Sequence, residues 1–195
     1  MHAKEYWGTP IWDFLIENND GFDQLVDASY KAKESGDSES KSNAGNSWHS
    51  KLNFMGNFQQ LLLAKDVMDR YQLCAGEYGY KLVGATRLSY WTIITGKYGY
   101  NRRHNHGGSL LSAVLYLRVP EKSGRIIFTD PRPNMVMQTN VGRVDTKVKS
   151  NVAFDPKVGL FLVFPSYLEH EVDMTMSDSD RIIASFNLTP ATMAD

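Results

Sequence analysis

His104-Asn105-His106, with His170 sixty-four residues further on and Arg181 eleven after that, is the constellation in this chain that could do chemistry. It takes three of the five histidines. Side chains two apart on a strand point to the same face, so an H-x-H pair can aim both imidazoles at one point. A third imidazole from a partner strand can close such a site. Two or three ligands with coordination positions left open are what an iron centre needs to activate oxygen. Arg181 is a planar bidentate donor suited to an anionic cosubstrate. In RIIASFN, Arg181, Ile183, Ser185 and Asn187 share one strand face, and an inward arginine needs an anionic partner. Taken singly, each of these residues also reads as a solvated surface group, His170 between Glu169 and Glu171 and Arg181 beside Asp178 and Asp180. Their combination reverses that reading. Arg102 and Arg103, next to His104, favour the neutral imidazole that binds metal.

The elements needed to position these groups are legible in outline. Residues 7–16 read as an extended entry strand. Phe22–Ser35 has helical periodicity, with Asp20 or Gly21 near its cap. Residues 35–47, rich in Ser, Gly and Asn, read as a surface loop. Residues 57–75 predict the best helix, with Asn57 as N-cap and a stripe of Phe58, Leu61, Leu62, Lys65, Met68 and Leu73. Strand-like runs follow at Thr86–Thr95, Leu110–Val119, Arg125–Thr129, Val158–Phe164 and Arg181–Leu188, separated by turn signals. The fold class predicted is α+β, mainly β: a jelly-roll with N-terminal helices packed on it. Residues 1–195 read as one domain, with 1–80 as helical support and 81–195 as the jelly-roll core.

Composition narrows the setting. A net charge of −1 gives no bias towards nucleic acid or an acidic membrane surface. One cysteine, Cys74, excludes an internal disulfide framework and reads as a buried, inert thiol. No apolar run approaches the roughly 18 residues that span a bilayer, and the N-terminal run has no signal-peptide core. The expectation is a cytoplasmic protein without nucleic-acid or membrane partners. The strand edges of a small jelly-roll would allow a homodimer.

The segments HNH, LSAVLYLRVP, SGRIIFTDPR, FPSYLEHEV and DRIIASFN together resemble the 2-oxoglutarate/Fe(II)-dependent dioxygenase superfamily. More narrowly they resemble a 2-oxoglutarate oxygenase family of marine bacteria and phages. WGTPIW, SNAGNSWHS and LSYWTIITGKYGYNRRHNH extend the resemblance over most of the chain. It implies a double-stranded β-helix, Fe(II) as metal, 2-oxoglutarate and O2 as cosubstrates, and Arg181 as partner of the far carboxylate. The reaction implied releases succinate and carbon dioxide and most often hydroxylates a C–H bond. Prolyl hydroxylase-like members make a peptidyl or small amino-acid-like substrate the leading class.

One departure matters: the superfamily usually carries H-x-D or H-x-E, and here His106 stands at the acid. The preferred reading is that His106 replaces the carboxylate in a His104, His106, His170 set. Alternatively His104 lies outside the coordination sphere, or Asp130 of FTDPR is the carboxylate ligand. Tyr116 and Ser112 share a strand face and, with Asn187, are further candidates to hold 2-oxoglutarate. Tyr90 is a candidate pocket residue, Trp48-His49-Ser50 a lid or surface anchor, and Asp130-Pro131-Arg132 a turn or a substrate contact. The competing readings are a cupin-like metal-binding jelly-roll that ignores 2-oxoglutarate, which has no use for an inward Arg181, and a non-catalytic binding module.

Overall fold

The C-terminal run RIIASFNLTP, β11 (Arg181–Pro190), pairs along its whole length with β4 (Thr86–Thr95), from Arg181↔Thr95 to Pro190↔Thr86. Its other edge pairs with β6 (Leu111–Arg118), with a register shift between Ile182 and Ile183. The computed structural model describes residues 8–17, 19–56, 58, 61–80, 86–132 and 150–190. The remaining elements among them are β1 (Trp12–Leu15), α1 (Asp20–Glu34), β2 (Asn43–Ala44), β3 (Ser47–His49), α2 (Leu62–Glu77), β5 (Tyr100–His104), β7 (Ile126–Thr129), β8 (Asn151–Phe154), β9 (Leu160–Pro165) and β10 (His170–Val172).

The strands form two antiparallel sheets, a major one in the order β1-β9-β6-β11-β4-β3 and a minor one in the order β2-β5-β10-β7-β8. This is the mainly-β jelly-roll that the strand spacing predicts. The major sheet is apolar on both faces because both are covered. Leu111, Ala113, Leu115 and Leu117 of β6 point to the helices, with Ile182, Ala184, Phe186 and Leu188 of β11. Val114 and Tyr116 point the other way, with Trp91, Ile93 and Ile183, into the space between the sheets.

Both helices are held on the first of these faces. The Asn19 side chain caps α1 by accepting the Gly21 N–H at 2.9 Å. Asp20 and Asp23 in the first turn and Lys31 and Lys33 in the last suit the helix dipole. The helix thus starts about two residues before the sequence pattern indicates. Helix α2 buries Leu63, Ala64, Val67, Tyr71 and Cys74. Full burial of side chains such as Leu63 and Val67 stabilises by about 1.5–3 kcal/mol each. The stripe expected through Lys65, Met68 and Leu73 is therefore rotated: Lys65 is exposed, Met68 partly buried and Leu73 60% exposed. Tyr71 and Cys74 carry the periodicity instead. Asn57, the expected N-cap, lies outside the described residues, and Leu61 stands at the N-cap without a side-chain hydrogen bond. Cys74 is free and buried as expected, with burial pushing its thiol up to about 12.

The first 80 residues do more than supply helices, since β1 joins the major sheet beside β9 and β3 joins beside β4. The stretch expected as a plain loop contains β2, which pairs with β5, and ends at the start of β3. Among the described residues no helix is long and apolar enough to cross a membrane.

Candidate active site

The three histidines converge because β5 and β10 are neighbours. His104 is the direct cross-strand partner of His170, and Asn101 that of Val172. Two residues of β5, Arg102 and Arg103, thus oppose one of β10, Glu171, a bulge that re-aims the intervening side chains. His106 lies just beyond β5, where its backbone N–H is held by the Ser166 carbonyl at 2.8 Å. The turn continues through Gly108, whose φ of 87° suits glycine.

The ring centres of His104 and His170 are 4.3 Å apart, and each lies 5.1 Å from that of His106. One nitrogen from each ring falls within 4.8 Å of the others, a spacing that can surround one metal ion. The His104 Nδ1–H donates to the Arg102 carbonyl at 2.7 Å and the His170 Nδ1–H to the Leu168 carbonyl at 3.0 Å. Both bonds fix the tautomer and leave the lone pair on Nε2, which in His104 accepts from the Ser42 hydroxyl at 3.3 Å. Phe128 and Phe164 pack against His170, and Trp91 against His106.

Burial lowers all three imidazole pKa values, those of His106 and His170 to about 3, with neighbouring imidazoles adding to the effect. The rings are neutral, as metal binding requires. The cause is desolvation, and not Arg102 and Arg103 as the sequence suggests.

Arg181, at the start of β11, is 1% exposed. One guanidinium N–H donates to the Gly124 carbonyl at 2.9 Å and another to the Thr95 hydroxyl at 3.1 Å. Its Nε has no partner, and no acid pairs with it among the described residues. A buried, uncompensated guanidinium is costly, and burial pulls its pKa below the ordinary value. Gly124 can approach this closely because it lacks a side chain, since a Cβ there would collide with the Asp173 backbone.

Arg181 and the three histidines line one cavity of about 550 Å³, together with Tyr116 and Asn187. That size suits a cosubstrate with a small substrate. Burial raises the Tyr116 hydroxyl to about 12, so it is an un-ionised donor beside the Arg181 charge. Ser112 does not line the cavity. Its hydroxyl bonds to Ser166 at 2.7 Å and donates to Asn187 Oδ1 at 2.8 Å, which orients the Asn187 amide.

Asp130 is not part of the histidine cluster. Its oxygens accept from the Arg132 backbone N–H and guanidinium at 2.7–2.9 Å, which makes a turn at the end of β7. Tyr90 faces the helices, stacked on Phe58 and bonded to Met55, and not the cavity. His49 is neither lid nor surface anchor. It is buried in β3, stacks on Trp91, donates from Nδ1 to the Ser50 carbonyl at 2.6 Å and lines the cavity. Thr95, Gly124 and Asn101 escaped the sequence reading, because their roles come from backbone positions that only the folded sheets bring together.

The family described as "Putative 2OG-Fe(II) oxygenase" matches residues 89–187, just over half of the chain, and the chain belongs to it. The cofactors are Fe(II) and the cosubstrate 2-oxoglutarate, and the three-histidine cluster suits the metal. Among solved structures, the Pseudomonas putida prolyl-4-hydroxylase is 15% identical, with 92% of this chain and 91% of that one covered at a TM-score of 0.64. The non-haem α-ketoglutarate-dependent carbocyclase SnoK from nogalamycin biosynthesis is 14% identical, with 95% and 84% covered at a TM-score of 0.68. The epimerase SnoN, in complex with Fe3+, α-ketoglutarate and nogalamycin RO, is 14% identical, with 93% and 79% covered at a TM-score of 0.59. At these identities the likenesses establish the fold. A search of the curated proteins returned no match.

Proposed function

We propose that residues 1–195 form a single oxygenase domain that oxidises a C–H bond of a peptidyl or small amino-acid-like substrate, most simply by hydroxylation. His104, His106 and His170 would hold Fe(II) through nitrogens that burial keeps neutral. When bound, iron and 2-oxoglutarate supply the oxidation, with O2 consumed and succinate and carbon dioxide released. Arg181 gives the cosubstrate's far carboxylate the counter-charge that the protein itself withholds. The Tyr116 hydroxyl and the Asn187 amide are further donors on the same wall. Trp91, Phe164 and Ile183 keep the cavity apolar, which strengthens each of these polar contacts by excluding water.

The observation that carries this reading is a buried arginine, without an acid among the described residues, in one cavity with three clustered imidazoles. A cupin-like metal site has no use for that charge. The test is an anaerobic Fe(II) titration with and without 2-oxoglutarate, following the visible charge-transfer band of a chelated 2-oxo acid. The band should form in the wild type and weaken in His104→Ala, His170→Ala and Arg181→Ala. Iron binding without a band would overturn the reading.

A further inference from the structure

The outer wall of the cavity holds groups that the cosubstrate and metal do not use. Lys41 and Ser42 enter it from the approach to β2, and Asn101, Arg102 and Arg103 from β5. The two segments are tied together, for the Arg102 backbone N–H donates to the Ser42 carbonyl at 2.9 Å. Lys41 is paired with Glu39 at 3.3 Å and Arg103 with Glu171 at 3.2 Å. Arg102 has neither an ion pair nor a side-chain hydrogen bond among the described residues. Three cations against two carboxylates leave one positive charge, at the residue two before His104.

Deeper in the same wall, Asn101 is 3% exposed. Its Nδ2 donates to the Ser42 hydroxyl at 3.1 Å, while its Oδ1 has no hydrogen-bond partner among the described residues. A buried amide oxygen left bare costs the desolvation of that atom unless a ligand supplies a donor. His49 faces the same space with Nδ1 already committed to Ser50 and Nε2 without a partner among the described residues.

We propose that Arg102 and Asn101 form the substrate subsite, and that the substrate is a small carboxylic acid bearing an N–H or O–H donor beside its acid group, as in a 2-amino or 2-hydroxy acid. A planar guanidinium matches a carboxylate bidentately. A single uncompensated charge suits a monoanion better than a phosphate dianion. Asn101 Oδ1 receives the adjacent donor. This rests on the oxygenase reading and sharpens its substrate class.

The test is calorimetry on full-length protein loaded with Zn(II), a redox-inert stand-in for iron, and 2-oxoglutarate. The ligands are L-amino acids, their primary amides, and the parent acids lacking the 2-amino group. At least one amino acid should bind about tenfold to a hundredfold more tightly than its amide, the worth of a charge-assisted pair. It should also bind more tightly than its parent acid. Arg102→Ala should erase the acid-over-amide preference, and Arg102→Lys should restore part of it. The proposal is overturned if no acid outbinds its amide, if amino acids and parent acids bind alike, or if Arg181→Met erases the preference while Arg102→Ala does not. Failure of 2-oxoglutarate itself to bind the Zn(II) protein would instead sink the oxygenase reading. The acid-against-amide comparison on the metal-loaded protein would then still decide the role of Arg102.

Discussion

Arg181 and Thr95 are register partners across β11 and β4, and their side chains meet, the guanidinium donating to the Thr95 hydroxyl at 3.1 Å. With Gly124 taking a second N–H, the fork is fixed before any ligand arrives, while Nε remains uncommitted. Replacing the arginine should therefore have opposite effects on stability and binding. Arg181→Met removes a buried charge that has no acid partner among the described residues, so the ligand-free protein should melt higher, by an amount corresponding to about 1–3 kcal/mol. The same variant should bind 2-oxoglutarate at least about thirtyfold more weakly. Differential scanning fluorimetry with and without the cosubstrate reads both, and a lower melting point for the ligand-free variant would count against an uncompensated charge.

Gly124, two residues before β7, links the minor sheet to this fork. A Cβ at that position meets the Asp173 backbone, so Gly124→Ala must shift the carbonyl that Arg181 uses. The expected cost is about 1–3 kcal/mol of stability, the range for overpacking. 2-Oxoglutarate affinity should fall and Fe(II) affinity should hold. An alanine variant with wild-type 2-oxoglutarate binding would show that the carbonyl does not set the fork.

The buried imidazoles make metal-free stability depend on pH. In the unfolded chain they protonate near 6.5, whereas folded His106 and His170 stay neutral down to about 3. Between those limits the unfolded state binds more protons. Stability is full above about pH 6.5 and falls as pH drops towards 3, by up to about 1.4 kcal/mol per pH unit for each ring. Urea unfolding between about pH 5 and 6.5, above most carboxylate titration, isolates the effect. His170→Gln should flatten the slope, and an equally steep slope in that variant would place the titration elsewhere.

His106 stands where the wider superfamily carries an acid. His106→Asp creates the two-histidine, one-carboxylate set that suits Fe(II) and should retain iron, whereas His106→Ala should lose affinity by about tenfold to a hundredfold or more. The anaerobic iron titration separates them. Equal iron binding by wild type and His106→Ala would remove His106 from the ligand set.

The jelly-roll class, both helices and the histidine constellation were legible because each rests on local pattern: period 2, period 3.6 and an H-x-H spacing. The apolar runs of β4, β6, β9 and β11 announced the major sheet. What stayed hidden depends on distant neighbours. Strands β2, β5 and β8 are two to five residues long and look like loops until partners supply their hydrogen bonds. Tyr90 and Trp91 are adjacent and both aromatic, and only the pleat decides that Trp91 meets the cavity while Tyr90 meets Phe58. Likewise, the rotation of the α2 stripe from Met68 to Val67 and Tyr71 follows from where β6, β9 and β11 lie beneath it.

The two walls of the cavity are anchored unequally. Arg181, Tyr116 and Asn187 sit on β11 and β6, strands with a neighbour on each side. Lys41 and Ser42 border β2, a two-residue strand at the sheet's rim with one neighbour. An insertion or exchange within residues 37–44 can thus reshape what enters the cavity while the cosubstrate wall keeps its register. Asn101 and Arg102, by contrast, share β5 with His104, so an exchange there acts on selectivity and on the metal cluster together.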